Sequence, residues 1–104
     1  MATTTTKRNS AEIEQLMPQN LEAEEAVLGA ILVNPRCLDK VISTLKAEYF
    51  YKPAHKYIYE AILHLTNSSQ PIDIVSVSDE LNINQRLELV GGRAFINDLI
   101  LKCI

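Results

Sequence analysis

The residues in this chain with chemistry to offer are few. They are two histidines (His55, His64), two cysteines (Cys37, Cys103), three glycines (Gly29, Gly91, Gly92) and an acidic group at Glu22, Glu24 and Glu25. A histidine pair holds a metal ion only if both rings meet on one face. Spaced nine residues apart on a helix that turns about 100° per residue, His55 and His64 point to opposite sides. Metal sites want three or four convergent ligands. The sequence therefore indicates no metal, with His55 near the core and His64 at the surface. A phosphate-binding loop of the G-x-x-x-x-G-K-[ST] type needs glycines whose N–H groups surround phosphates and a lysine to follow; neither Gly29 nor Gly91-Gly92 is placed to build one. Nucleotide hydrolysis by this chain is excluded on that ground. The three glutamates suit the first turn of a helix, where carboxylates meet the positive end of the dipole, and so need no catalytic explanation. Cys37 and Cys103 are far apart with no C-x-x-C pair, which points to idle thiols in a reducing, intracellular compartment. No catalytic residue and no cofactor-binding residue is expected.

Ten Lys and Arg against thirteen Asp and Glu give a net charge of −3, and the cations are scattered from Lys7 to Lys102. Phosphate backbones are held by dense positive charge, so little or no direct DNA binding is expected. Tyr57 and Tyr59 beside Lys52 and Lys56 are read as a solvated face rather than a nucleic-acid surface. The longest apolar run, Ala26 to Val33, is eight residues, far short of the roughly 20 that span a bilayer; no membrane segment is expected. Phe95, in an apolar stretch near the chain end, suits the core or a partner surface.

The elements that must position these residues read as helices. Residues 1–17 open on a threonine run and are expected to be a disordered tail, leaving 18–104 as one domain. Asn20 caps a helix from Leu21 to Val33, with Leu21, Leu28 and Leu32 as an apolar stripe and Ala23, Ala26 and Ala30 as a small-residue face. Gly29 in its interior serves close packing against a neighbour. Asn34-Pro35 starts a second helix to Leu45, whose Leu38, Val41, Ile42 and Leu45 fit the i, i+3, i+4, i+7 pattern. Tyr49-Phe50-Tyr51 on a short connector plugs the core. Pro53 starts a third helix to about Thr66, ended by the turn cluster Asn67 to Pro71. Ile72 to Ser78 suits a strand or a helix; a helix is preferred because Asp73 can cap it and no second strand offers a partner. Asn82 to Val90 reads as a loop carrying Leu87 inward, and a last helix starts near Arg93 with Phe95, Ile96, Leu99 and Ile100 on one face. The fold expected is all-α, an orthogonal bundle of about five helices around Leu28, Leu32, Val41, Ile42, Phe50, Ile58, Ile62, Leu65, Leu81 and Leu99.

Four stretches carry a family resemblance. Pro18-Gln19-Asn20-Leu21-Glu22-Ala23-Glu24 running to Leu28-Gly29, Phe50-Tyr51 with His55 and Ile58, Pro71-Ile72-Asp73, and Val90-Gly91-Gly92 with Phe95 stand in order and spacing similar to the N-terminal domain of DnaB-type replicative DNA helicases. The match covers Pro18 to Leu101. The resemblance implies a collar domain of a hexameric ring helicase of the bacterial or plastid type, placing it in the bacterial cytoplasm or the plastid stroma. The collar acts in DNA replication by docking the C-terminal domain of primase and taking part with a helicase loader in ring assembly. ATP and Mg belong to an ATPase domain absent from this chain. Partner-binding residues carried over by motif are Asp73, Arg93 and Phe95. Departures from the pattern are Arg93 where the family often has an apolar residue, Phe95 where Tyr is common, Tyr49 where an acidic residue precedes Phe50, and no glycine between Ile83 and Arg86. The resemblance also implies that the chain stops before the helical hairpin through which these domains dimerise, so that alone it is a monomer. The competing expectation is a stand-alone helical adaptor unrelated to replication.

Overall fold

A computed structural model describes residues 20–104; the expected tail over 1–17 lies outside the described residues, as do Pro18 and Gln19. Helix α1 spans Leu21–Val33, and the Asn20 side chain accepts the Ala23 N–H at 3.1 Å, satisfying one of the first-turn donors that lack a helical partner. Helix α3, Pro53–Asn67, opens on the proline and buries Ala54, His55, Ile58, Tyr59, Ala61, Ile62 and Leu65. It packs against α1, against the later segments Ile74–Ile83 and Leu87–Val90, and against a 3₁₀ turn at Ala47–Tyr49. That turn delivers Phe50 into the core and leaves Tyr49 and Tyr51 exposed, so only the middle residue of the aromatic triplet is a plug.

The ambiguous segment is helical. Helix α4 runs Ile74–Ile83 from a reciprocal cap: Asp73 Oδ1 accepts the Ser76 N–H at 2.8 Å while Ser76 Oγ accepts the Asp73 N–H at 3.0 Å. A short helix α5, Leu87–Val90, stands where a loop was expected, with Val90 buried and Leu87 packed against the core. Gly91 follows at φ +106°, and a Cβ there would touch the Phe95 Cβ, so both conformation and space call for glycine. Helix α6 is Gly92–Lys102, burying Ile96 and Leu99.

Six α-helices and no strand are found among the described residues, an all-α fold as expected. Eight of the ten expected core residues are buried, but Val41 is half-buried and Ile42 is exposed. The cause is a shortened second helix. Helix α2 covers only Cys37–Val41, after a turn in which Asn34 Oδ1 accepts the Arg36 N–H. Beyond it the Val41 carbonyl is shared by the N–H groups of Thr44 and Leu45 and by the Thr44 hydroxyl. Side-chain hydroxyls that compete for backbone partners in this way end helices.

Helices α1 and α6 meet at the residue that sequence marked for close packing. A Cβ on Gly29 would lie 2.5 Å from the Leu99 carbonyl oxygen and closer still to Cys103 Sγ. Lys102 Nζ reaches Glu25 Oε1 at 2.7 Å across the same contact. The Lys102 ammonium holds the Glu25 carboxyl below its ordinary range.

Candidate docking surface

The junction of α1, α3 and α6 holds a buried polar cluster. His55 is fully buried, and its Nδ1 donates to Glu24 Oε1 at 2.8 Å, since an ionised carboxylate only accepts. The other Glu24 oxygen accepts the Tyr51 N–H at 2.7 Å, so one side chain of α1 fixes both the ring and the chain entering α3. His55 Nε2 has no hydrogen-bond partner among the described residues and lies 3.7 Å from Glu25 Oε2. The sequence offered no signal for this pairing, because the partners are 31 residues apart and Glu24 had a sufficient explanation in the helix dipole.

Phe95 sits on that cluster. Its ring lies nearly parallel to His55, with centroids 5.9 Å apart and planes 12° apart, and the Lys52 ammonium lies 5.0 Å from its centroid. The aromatic is half-buried, held by one cation and one imidazole rather than sealed in aliphatic core. Arg93, two residues earlier, is exposed and pairs with no carboxylate among the described residues. A cation in the first turn opposes the helix dipole, so helix stability does not account for it. Asp73 is exposed at the N-terminus of α4. The backbone N–H of Ser76 holds its carboxyl below the usual carboxylate range. No hydrogen bond or ion pair joins Asp73 to Arg93 or Phe95 among the described residues. The structure therefore brings Arg93 and Phe95 onto one helix start and leaves Asp73 occupied as a cap.

The tyrosine-lysine face resolves differently from its reading in sequence. Tyr59 is fully buried, with its hydroxyl donating to the Leu45 carbonyl at 2.8 Å, and burial raises its pKa. Tyr57 instead carries Arg86, whose guanidinium lies 4.4 Å from the ring centroid and whose Nη1 pairs with Glu60 at 2.8 Å. His64, exposed on the far side of α3, meets Glu80 of α4 at 3.0 Å. Beside it, α3 and α4 enclose two adjoining depressions of about 440 and 270 Å³ that share His64, Glu80 and Ile83 in their walls.

Among the described residues no glycine stands where a phosphate-binding loop would need it. Gly29 is packed in a helix interior against Leu99, and Gly91-Gly92 is followed by Arg93-Ala94 rather than by Lys and a hydroxyl residue. Among the described residues no group of three or more His, Cys, Asp or Glu is gathered to hold a metal, and no helix is long and apolar enough to cross a membrane.

Comparison with known proteins adds identity to this geometry. Residues 16–104 match the model of the DnaB-like helicase N terminal domain. The chain is 44% identical over 85 residues to the replicative DNA helicase DnaB of Synechocystis, covering 82% of this chain and 10% of that protein. It is 42% identical over 86 residues to the replicative DNA helicase DnaC of Bacillus subtilis, covering 83% of this chain and 19% of that one. Among solved structures, the N-terminal domain of DnaB helicase from Mycobacterium tuberculosis superposes with a TM-score of 0.78 at 38% identity, covering 81% of this chain and 58% of that one. The chain thus spans between a tenth and a fifth of the length of the two curated relatives named above.

Proposed function

The chain belongs to the family of DnaB-like helicase N-terminal domains, and from that premise we propose that it acts in DNA replication as a docking and ring-assembly module for primase and other primosome partners. The observation that carries the reading is the match over 16–104, together with a half-buried Phe95 presented at the start of α6 beside Arg93, which pairs with no carboxylate among the described residues. Arg93 and Phe95 supply the contact, and Asp73 contributes from the cap of α4. The domain boundary falls near residue 18. The parent protein is an ATP-dependent DNA helicase whose ATP and Mg act in a separate motor domain, and it works in the bacterial cytoplasm as a ring. A loader assembles that ring. Repetition of one weak contact around it raises avidity without any new contact.

Isothermal titration of this chain with the C-terminal domain of the cognate primase tests the docking role. Binding is expected in the range of about micromolar or weaker, reduced about tenfold by Phe95→Ala with the circular dichroism spectrum unchanged. Absence of heat with the wild-type chain at millimolar primase domain would overturn it.

A further inference from the structure

We propose that the furrow between α3 and α4 is a second docking surface, and that its occupant is a basic amphipathic helix of a partner protein. This does not rest on the primase reading, because the furrow shares no residue with the Phe95 cluster.

The outer face of α4 carries Val75, Asp79 and Ile83 at one-turn intervals, within about 80° of one another at 100° per residue. All three are exposed; Val75 is 52% and Ile83 75% accessible, high values for β-branched aliphatics that helix formation does not require at these positions. Ile83 also forms part of the wall of both depressions, and Asp79 lines the smaller one. The stripe and the furrow are thus one continuous surface, with an apolar residue at each end and acid between them.

Charge selects the occupant. Glu60, Asp79 and Glu80 all face the furrow. Of the basic side chains lining it, Arg86 is engaged by Glu60 and Tyr57, and His64 is engaged by Glu80. Asp79 pairs with no cation among the described residues. A segment with two apolar side chains about two turns apart and lysine or arginine between them matches this order in both shape and sign. The described helices of a second copy of this chain do not match it. Among the described helices none carries more than two Lys or Arg, the pair on α6 being Arg93 and Lys102 at opposite ends.

The probe is a synthetic helical peptide of about 18 residues, long enough to be helical in water, with leucines two turns apart and lysines between. It is titrated into the full chain under heteronuclear NMR, and a peptide with glutamate for every lysine serves as the counter-probe. The expected result is shift changes confined to α4 and the facing side of α3. Asp79→Lys is expected to weaken binding about tenfold and Ile83→Ser about fivefold. Phe95→Ala should leave it unaltered, and the glutamate peptide should not bind. Both substituted side chains are exposed, so the variants retain the fold. Equal binding by the Asp79→Lys/Ile83→Ser double variant, or shifts centred on α6, would overturn the proposal. So would a dimer in sedimentation that Ile83→Ser dissolves, which would make the occupant a second copy.

Discussion

Helix α3 presents two histidines, and each meets a glutamate from another helix in opposite surroundings. His55 is sealed between α1 and α6 with Glu24 at 2.8 Å, whereas the His64 side chain is 65% accessible and meets Glu80 at 3.0 Å. The distances are nearly the same. What differs is the alternative open to each group when its partner is lost: water replaces Glu80 at once, but nothing replaces Glu24 inside the junction. Similar contacts therefore carry unequal weight, set by desolvation rather than by geometry. The buried pair belongs to the architecture, and the exposed pair leaves its surface free for recognition.

The strongest way to break this comparison is to remove the buried ring. His55→Ala removes the ring's hydrogen bond to Glu24 Oε1 and opens a cavity, and is expected to cost about 3 kcal/mol in a urea titration; a loss under about 1 kcal/mol would equate the two sites. Gly29→Ala probes the same junction without touching a polar group. Because the new Cβ meets the Leu99 backbone, α1 and α6 must separate, and a loss of about 2 kcal/mol is expected. Asp73→Ala sharpens the contrast from the exposed side, where a local cap is worth about 1 kcal/mol. Its carboxyl pKa is depressed in the folded chain, so its contribution is complete above the ordinary carboxyl value and disappears as pH falls through the folded one. Thermal melts of Asp73→Ala and the parent should therefore differ at pH 7, and the difference should shrink once the pH falls below the ordinary carboxyl value towards the depressed folded one. Smallest of all, His64→Ala should shift stability by less than about 0.5 kcal/mol, and a larger loss would show that the exposed pair is structural after all.

Sequence carried the helices whose ends have local causes. Asn20, Pro53 and Asp73 each mark a start in one residue, and all three helices begin where those residues put them. It failed at ends with competing local bonds. The period through Leu38, Val41, Ile42 and Leu45 is perfect, yet the Val41 carbonyl is shared among the N–H groups of Thr44 and Leu45 and the Thr44 hydroxyl, and the helix stops early. It also missed the short helix Leu87–Val90 inside the stretch from Asn82 to Val90 that reads as one loop, although the turn before that helix lies within that stretch. Gln85 adopts φ +59°, and the Arg86 N–H reaches back to the Leu81 carbonyl at 2.7 Å, a helix-ending geometry that glycine usually fills. Ser69 at φ +57° ends α3 in the same manner, within the turn cluster Asn67 to Pro71 that marks this end in the sequence. The candidate site was legible in its parts alone. Phe95 and Arg93 drew notice singly, but the stacking on His55 and the cover by Lys52 depend on contacts between distant segments, which no local pattern encodes.

The seam between α1 and α6 has a temporal side as well. Cys103 Sγ reaches the Ala26 carbonyl across 77 residues of chain, while α3 and α4 are joined by a turn of a few residues. Closing the long loop costs more entropy than closing the short one, so the α3–α4 pair is the part that can assemble first and α1 and α6 are the parts that dock upon it. Each then shields the other: lifting α6 uncovers Leu28 beside Gly29, and lifting α1 uncovers Leu99. Opening of one helix is therefore expected to expose the other, and native-state hydrogen exchange should give similar opening free energies for the protected amides facing this seam, although they lie at opposite ends of the described chain.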